Sequence, residues 1–161
     1  MTLAELAQHI PQIQAEYALL DVNFDTECLY DLGDLSALLR RIVDECLPEL
    51  PLRIQEELSA DQTEFVATIA TDKAAVVFTA PVDDDWLPDQ FFEQLESLPA
   101  AFGSDKKFYS LNPGIGLTGQ EAWYFCGTEP QLVAARQAGL PLVFPGEDFM
   151  ETAEYEQYSD E

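Results

Sequence analysis

The sequence predicts an α+β fold: one domain with a mainly antiparallel sheet of roughly five or six strands, packed by helices mostly on one face. Three observations carry this. Between Asp34 and Leu47 the apolar residues fall on one helical face. From Thr63 the pattern switches to the two-residue period of a half-buried strand. Proline and glycine then cut the rest of the chain into short runs of one kind or the other.

Thr2 and Glu5 have the spacing of a capping box, and Leu3, Leu6, Ala7 and Ile10 form a one-faced stripe. A helix to about Leu20 is expected, kinked or split by Pro11. Asp21 to Asp31 reads as a link anchored by Val22, Phe24 and Leu29. The next helix buries Leu35, Leu38, Leu39, Ile42, Val43 and Cys46, with Asp34 as its cap and Pro48 and Pro51 as its stop. Leu52 to Leu58 alternates and carries charge, as an edge strand does. Phe65, Ala67 and Ile69 define a second strand. Thr71-Asp72-Lys73 turns the chain. Ala75 to Phe78, rich in valine, reads as a central strand buried on both faces. These three strands form an antiparallel meander.

Pro81 ends the hairpin, and the chain leaves it as Asp83-Asp84-Asp85-Trp86. Pro88 opens a helix whose inner face is Phe91, Phe92, Leu95 and Leu98, stopped by Pro99 and Gly103. Lys106 to Leu111 and Glu121 to Cys126 are strands joined by a glycine-rich connection. Thr128 caps a helix to Gln137, Gly139 stops it, and Leu140 to Phe144 forms a last strand. The domain is expected over residues 1–149, with 150–161 as an acidic tail.

The 161 residues carry 31 Asp+Glu against 7 Lys+Arg, a formal net charge of −24. Such a chain repels nucleic acid and anionic lipid and attracts basic proteins. Acidity also serves solubility alone. No apolar run approaches the roughly 20 residues of a membrane helix. The first residues lack the basic start of a secretory signal, so the expected location is the cytoplasm. Cys28, Cys46 and Cys126 show no paired spacing and read as free thiols.

Chemistry-bearing motifs are weak. Gly114-Ile115-Gly116 with Gly119 matches G-x-G-x-x-G, but a strand follows where a nucleotide site requires a helix. His9, alone, supplies no metal set. The acidic runs lack the EF-hand pattern. No Ser-His or Cys-His arrangement supports a nucleophile. Carboxylate pairs are too numerous to single out an acid and a base. The expectation is a protein that is not an enzyme, with no metal and no cofactor.

Two acidic stretches are the candidate partner-binding sites. Asp83, Asp84 and Asp85 stand beside Trp86, which reads equally as a core anchor or as an exposed hot spot in an acidic rim. Glu147, Asp148, Glu151 and Glu154 begin a second acidic run, read either as a solvated tail or as a clasp for a basic partner. Trp123 and Phe125 should share one strand face, with Tyr124 on the other.

In size, acidity and α+β character the chain resembles the immunity proteins of bacterial toxin systems. That resemblance implies a basic protein partner, a toxin or effector domain, blocked by direct occlusion; it carries no motif and assigns no residues. The order of elements from Asp34 to Cys126 also resembles the acidic chaperones of type III secretion, which hold an extended effector segment. An enzyme of unknown type is the third reading.

Overall fold

Among the described residues four helices and two antiparallel sheets make up the fold, which is α+β. The structure, a computed structural model, describes residues 3–112 and 120–147. The glycine-rich stretch 113–119 and the residues from 148 onward, including Asp148, Glu151 and Glu154, lie outside the described residues. The strands divide into an order β1-β6-β5-β7 and an order β2-β3-β4, where a single sheet was expected. The chain forms two compact units: residues 25–107 are one, and the segments on either side of them are the other.

The first unit begins with α1 (Leu3–Glu16). Pro11 does not break it. Pro11 lies on the exposed face, so the carbonyl that loses its donor is turned to water. Ala18, at φ 54°, ends the helix, and β1 (Leu20–Asp25) follows where a link was expected. Val22 and Phe24 are buried and Asn23 and Asp25 exposed, the alternation of a strand. After the second unit come β5 (Lys106–Leu111), β6 (Glu121–Thr128), α4 (Glu129–Gln137) and a short β7 (Leu142–Val143). Thr128 caps α4 in a full capping box with Gln131. Leu6, Ile10, Ile13, Phe125, Leu132 and Leu142 belong to one core cluster. Trp123 stacks on Phe125 at 5.4 Å, while Tyr124 turns the other way onto Phe24 and Phe108, as the alternation requires.

The second unit runs through α2 (Asp34–Cys46), β2 (Arg53–Leu58), β3 (Glu64–Ala70), β4 (Ala75–Pro81) and α3 (Asp89–Ala101). The buried residues of α2 are the six read from its spacing. In the sheet β3 is central, and β4 is an edge strand, which corrects the expectation for Ala75 to Phe78. Its burial alternates: Phe78 and Ala80 are buried, whereas Val77 is 45% exposed. A run of small and β-branched residues fits a strand buried on both faces and one with an open face equally well, and only the sheet order separates the two. Ile54, Phe65, Ala67, Ile69, Phe78 and Ala80 form the inner face. Both helices pack on the sheet, with Phe78 against Phe91 at 5.5 Å.

Candidate partner-binding surface

The hairpin delivers the acidic exit into a fixed place. Val82 N–H donates to Thr63 O, the last rung of the β3–β4 ladder. The next residues pair with a different segment. Asp85 O accepts from both Cys28 and Leu29 N–H, each at 2.9 Å, and Leu87 N–H donates to Thr26 O at 2.8 Å. Glu27 and Trp86 thereby face each other in an isolated antiparallel bridge. Leu29 and Leu87 are both buried and anchor the two sides. Within the exit, the Asp84 carboxylate accepts from Trp86 N–H at 3.0 Å, an Asx turn that fixes the tryptophan backbone.

The backbone of Trp86 is held, yet its side chain is 42% exposed. That decides between the two readings of this residue: Trp86 is a surface residue. Three more large apolar side chains of this region are exposed, namely Tyr30, Leu32 and Val82. Tyr30 shares the setting of Trp86: its hydroxyl donates to Glu27 O at 3.1 Å and lies 3.5 Å from a Glu27 carboxylate oxygen. The Tyr30 phenol is pushed above its ordinary value by loss of hydration first, then by the charges of Glu27, Asp85 and Asp25. Asp25, Asp31, Asp83, Asp84 and Asp85 are exposed around these rings. The ion pairs Arg41–Glu45, Arg53–Asp72 and Lys106–Glu49 of this unit involve none of them. Exposed aromatic and aliphatic side chains thus share the paired segments 25–32 and 82–86 with exposed carboxylates. Chemically, exposed carboxylates attract cations, and exposed rings offer apolar area and a face for Lys or Arg.

Two features of this surface escaped the sequence. Tyr30 and Leu32 lie in Cys28-Leu29-Tyr30-Asp31-Leu32-Gly33, where no periodicity separates buried Leu29 from its exposed neighbours. Asp34, expected to cap α2, serves the preceding turn instead and accepts from Tyr30 and Asp31 N–H at 2.9 and 2.8 Å. This folds the Tyr30 turn back onto the helix start and exposes its side chains.

Glu147, the one described member of the C-terminal candidates, is engaged within its own unit. Arg136 donates to both of its oxygens at 2.7 Å, and Phe144 N–H donates to it at the same distance. The Arg136 hydrogen bonds hold its carboxyl below the usual range against an opposing burial effect. Arg136 lies over the Phe144 ring at 4.3 Å. Glu147 closes a turn here, and its charge is met by Arg136.

Compared with protein-family models, with curated proteins and with solved structures, the chain matches none. Among the described residues no group of three or more His, Cys, Asp or Glu is placed to hold a metal ion. No helix among them is long and apolar enough to cross a membrane.

Proposed function

We propose that this chain is a non-catalytic binding protein of the cytoplasm that neutralises a basic protein, a bacterial toxin or effector domain, by covering its basic active-site surface. One observation carries the reading: Trp86 is pinned through its backbone but exposed through its ring, directly after the exposed Asp83, Asp84 and Asp85. A large apolar residue held rigidly in solvent gains more from burial in a partner than it does in the free chain. The net charge of −24 supports a basic partner.

The order α2, three-strand meander, α3, β5, β6 favours, as a second reading, a chaperone-like protein that holds an extended effector segment. Capture from the native host separates the two, because the first reading expects a folded basic domain and the second an unfolded segment. For either, Trp86→Ala with Asp84→Ala and Asp85→Ala should weaken capture and leave the fold intact by circular dichroism. The tryptophan should contribute about 2 kcal/mol or more of the loss, and each rim charge much less. Unchanged affinity in the triple variant removes this surface from consideration.

A further inference from the structure

The three-stranded sheet of the second unit leaves its outer face without a covering element from that unit, and the chemistry of that face differs from the rest of the molecule. The ladder geometry shows which residues form it. Inner-face positions are Ile54, Phe65, Ala67, Ile69, Phe78 and Ala80, so the strand residues between them point outward. The registers align these outward residues in rows across the sheet. One row is Arg53, Ala70 and Ala75; the next is Gln55, Thr68 and Val77; the third is Glu57, Val66 and Thr79. In a chain with 31 acidic residues, these three rows hold one carboxylate and one guanidinium, at opposite ends of β2.

On each edge of the same sheet a helix side chain occupies one outward carbonyl. Ser59 N–H donates to Glu64 O and Val82 N–H to Thr63 O. Pairing therefore leaves Ile54 on β2 and Val77 on β4 with backbone groups aimed away from β3. Arg40 of α2 donates to Ile54 O at 3.3 Å. Gln94 of α3 donates to Val77 O at 2.8 Å. At Pro81 the edge has no N–H at all. Each helix thus satisfies one outward carbonyl of the adjacent edge, which hinders strand addition there, and the outer face is the broad surface that this unit leaves uncovered.

We propose that this outer face docks on the same face of a second copy of the chain, related by a two-fold axis lying in the interface across the strands. That operation reverses the strands and superposes β2 on β2 of the other copy. The row of Gln55, Thr68 and Val77 then meets itself. The row of Arg53, Ala70 and Ala75 meets the row of Glu57, Val66 and Thr79. Small side chains face larger ones, and each Arg53 faces a Glu57, so the face is self-complementary in size and in charge. Arg53 is free to turn, because its ion pair with Asp72 is exposed at both ends, 62% and 91%. The charge of −24 on each copy opposes association and outweighs two ion pairs, so dimerisation strengthens as salt screens the repulsion.

Sedimentation velocity of the full chain alone, over rising concentration and rising sodium chloride, tests this. The dimer fraction should grow with both. Val77→Glu places two carboxylates face to face and should weaken the dimer about tenfold or more; its side chain starts in solvent, so the fold should persist. Arg53→Glu should weaken the dimer and Arg53→Glu with Glu57→Arg should restore it, a rescue that a general loss of stability would not give. A monomer under all conditions overturns the proposal, as does a dimer indifferent to Val77→Glu and to the Arg53/Glu57 exchange. If the wild type stays monomeric and Val77→Glu instead weakens capture of a basic partner, the face belongs to that partner and the dimer is refuted. Binding at Trp86 is read separately, since salt should weaken it.

Discussion

At the scale of single residues, Trp86 and Cys28 show how backbone pairing decides what a side chain can do. Neighbouring residues of the exit make both backbone contacts: Asp85 O ties down Cys28 and Leu29, and that bond leaves the Trp86 ring outside. Composition favours burial for any tryptophan, so the sequence could not separate the two readings; the pairing with Thr26 to Leu29, nearly sixty positions earlier, does. Cys28 is a free thiol, as its lack of a paired spacing leads one to expect. It is only half-buried, and burial together with the charges of Asp25 and Asp34 pushes it from 9.0 to about 11. Thiolate is the nucleophilic form, so Cys28 should react with iodoacetamide far more slowly in the folded chain at pH 8 than in the unfolded chain. The linkage follows the same sign. The folded thiol holds its proton to higher pH than the unfolded one, so stability is intact below pH 9.0 and falls as pH rises towards 11. Denaturant titrations across that window should show the fall, and Cys28→Ser should reduce its slope. Equal labelling in the folded and unfolded states would contradict the buried, carboxylate-flanked setting.

Among the elements, α2 was the most legible and its capping the least. Its spacing alone identified all six buried residues, because a one-faced stripe between proline stops leaves no competing period. Its ends are held by residues far along the chain. The N-cap is Gly33 at φ 104°, with no side-chain cap of its own. Glu56 of β2 fills that role: its carboxylate accepts from Gly33 N–H at 2.7 Å and Ser36 N–H at 2.6 Å. At the other end the Lys106 ammonium donates to Cys46 O at 3.2 Å. A negative charge thus meets the positive end of the helix dipole and a positive charge the negative end. The strand reading of Leu52 to Leu58 placed Glu56 on the same side as Ile54 but gave no reason for a carboxylate there. The reason is the helix start. Glu56→Ala should destabilise the second unit by about 1 kcal/mol, the usual cost of a lost N-cap, read as a lower urea midpoint at unchanged slope. Glu56→Gln, which keeps an acceptor, should cost less. The edge position of β4 was hidden for the opposite reason, since Ala75 to Phe78 carries no charge to mark an open face.

For the whole molecule, the α+β class was legible because helical and strand periods alternate cleanly along the chain, but the division into two sheets was not. The pairing of β1 with β6 in the four-stranded sheet is non-local: the Asn23 side chain bonds Glu121, 98 positions away, and nothing in either short run names the other. Charge is the one whole-molecule property open to direct reading, and it makes the last prediction. With 31 acidic and 7 basic residues, the field of the chain reaches well past its surface at low ionic strength. The Debye length shrinks from about 30 Å at 0.01 M salt to about 8 Å at 0.15 M. Under the proposed function, a basic partner approaching Asp83 to Trp86 would be steered by the long-range field and held by short contacts to Trp86 and Tyr30. Stopped-flow association with the captured partner should therefore slow steeply across that salt range, while dissociation changes much less. The same screening should raise the melting temperature of the chain alone, because it relieves repulsion among its own carboxylates. An association rate indifferent to salt would mean that the acidity serves solubility only, and that the aromatic centre, without its rim, is what a partner recognises.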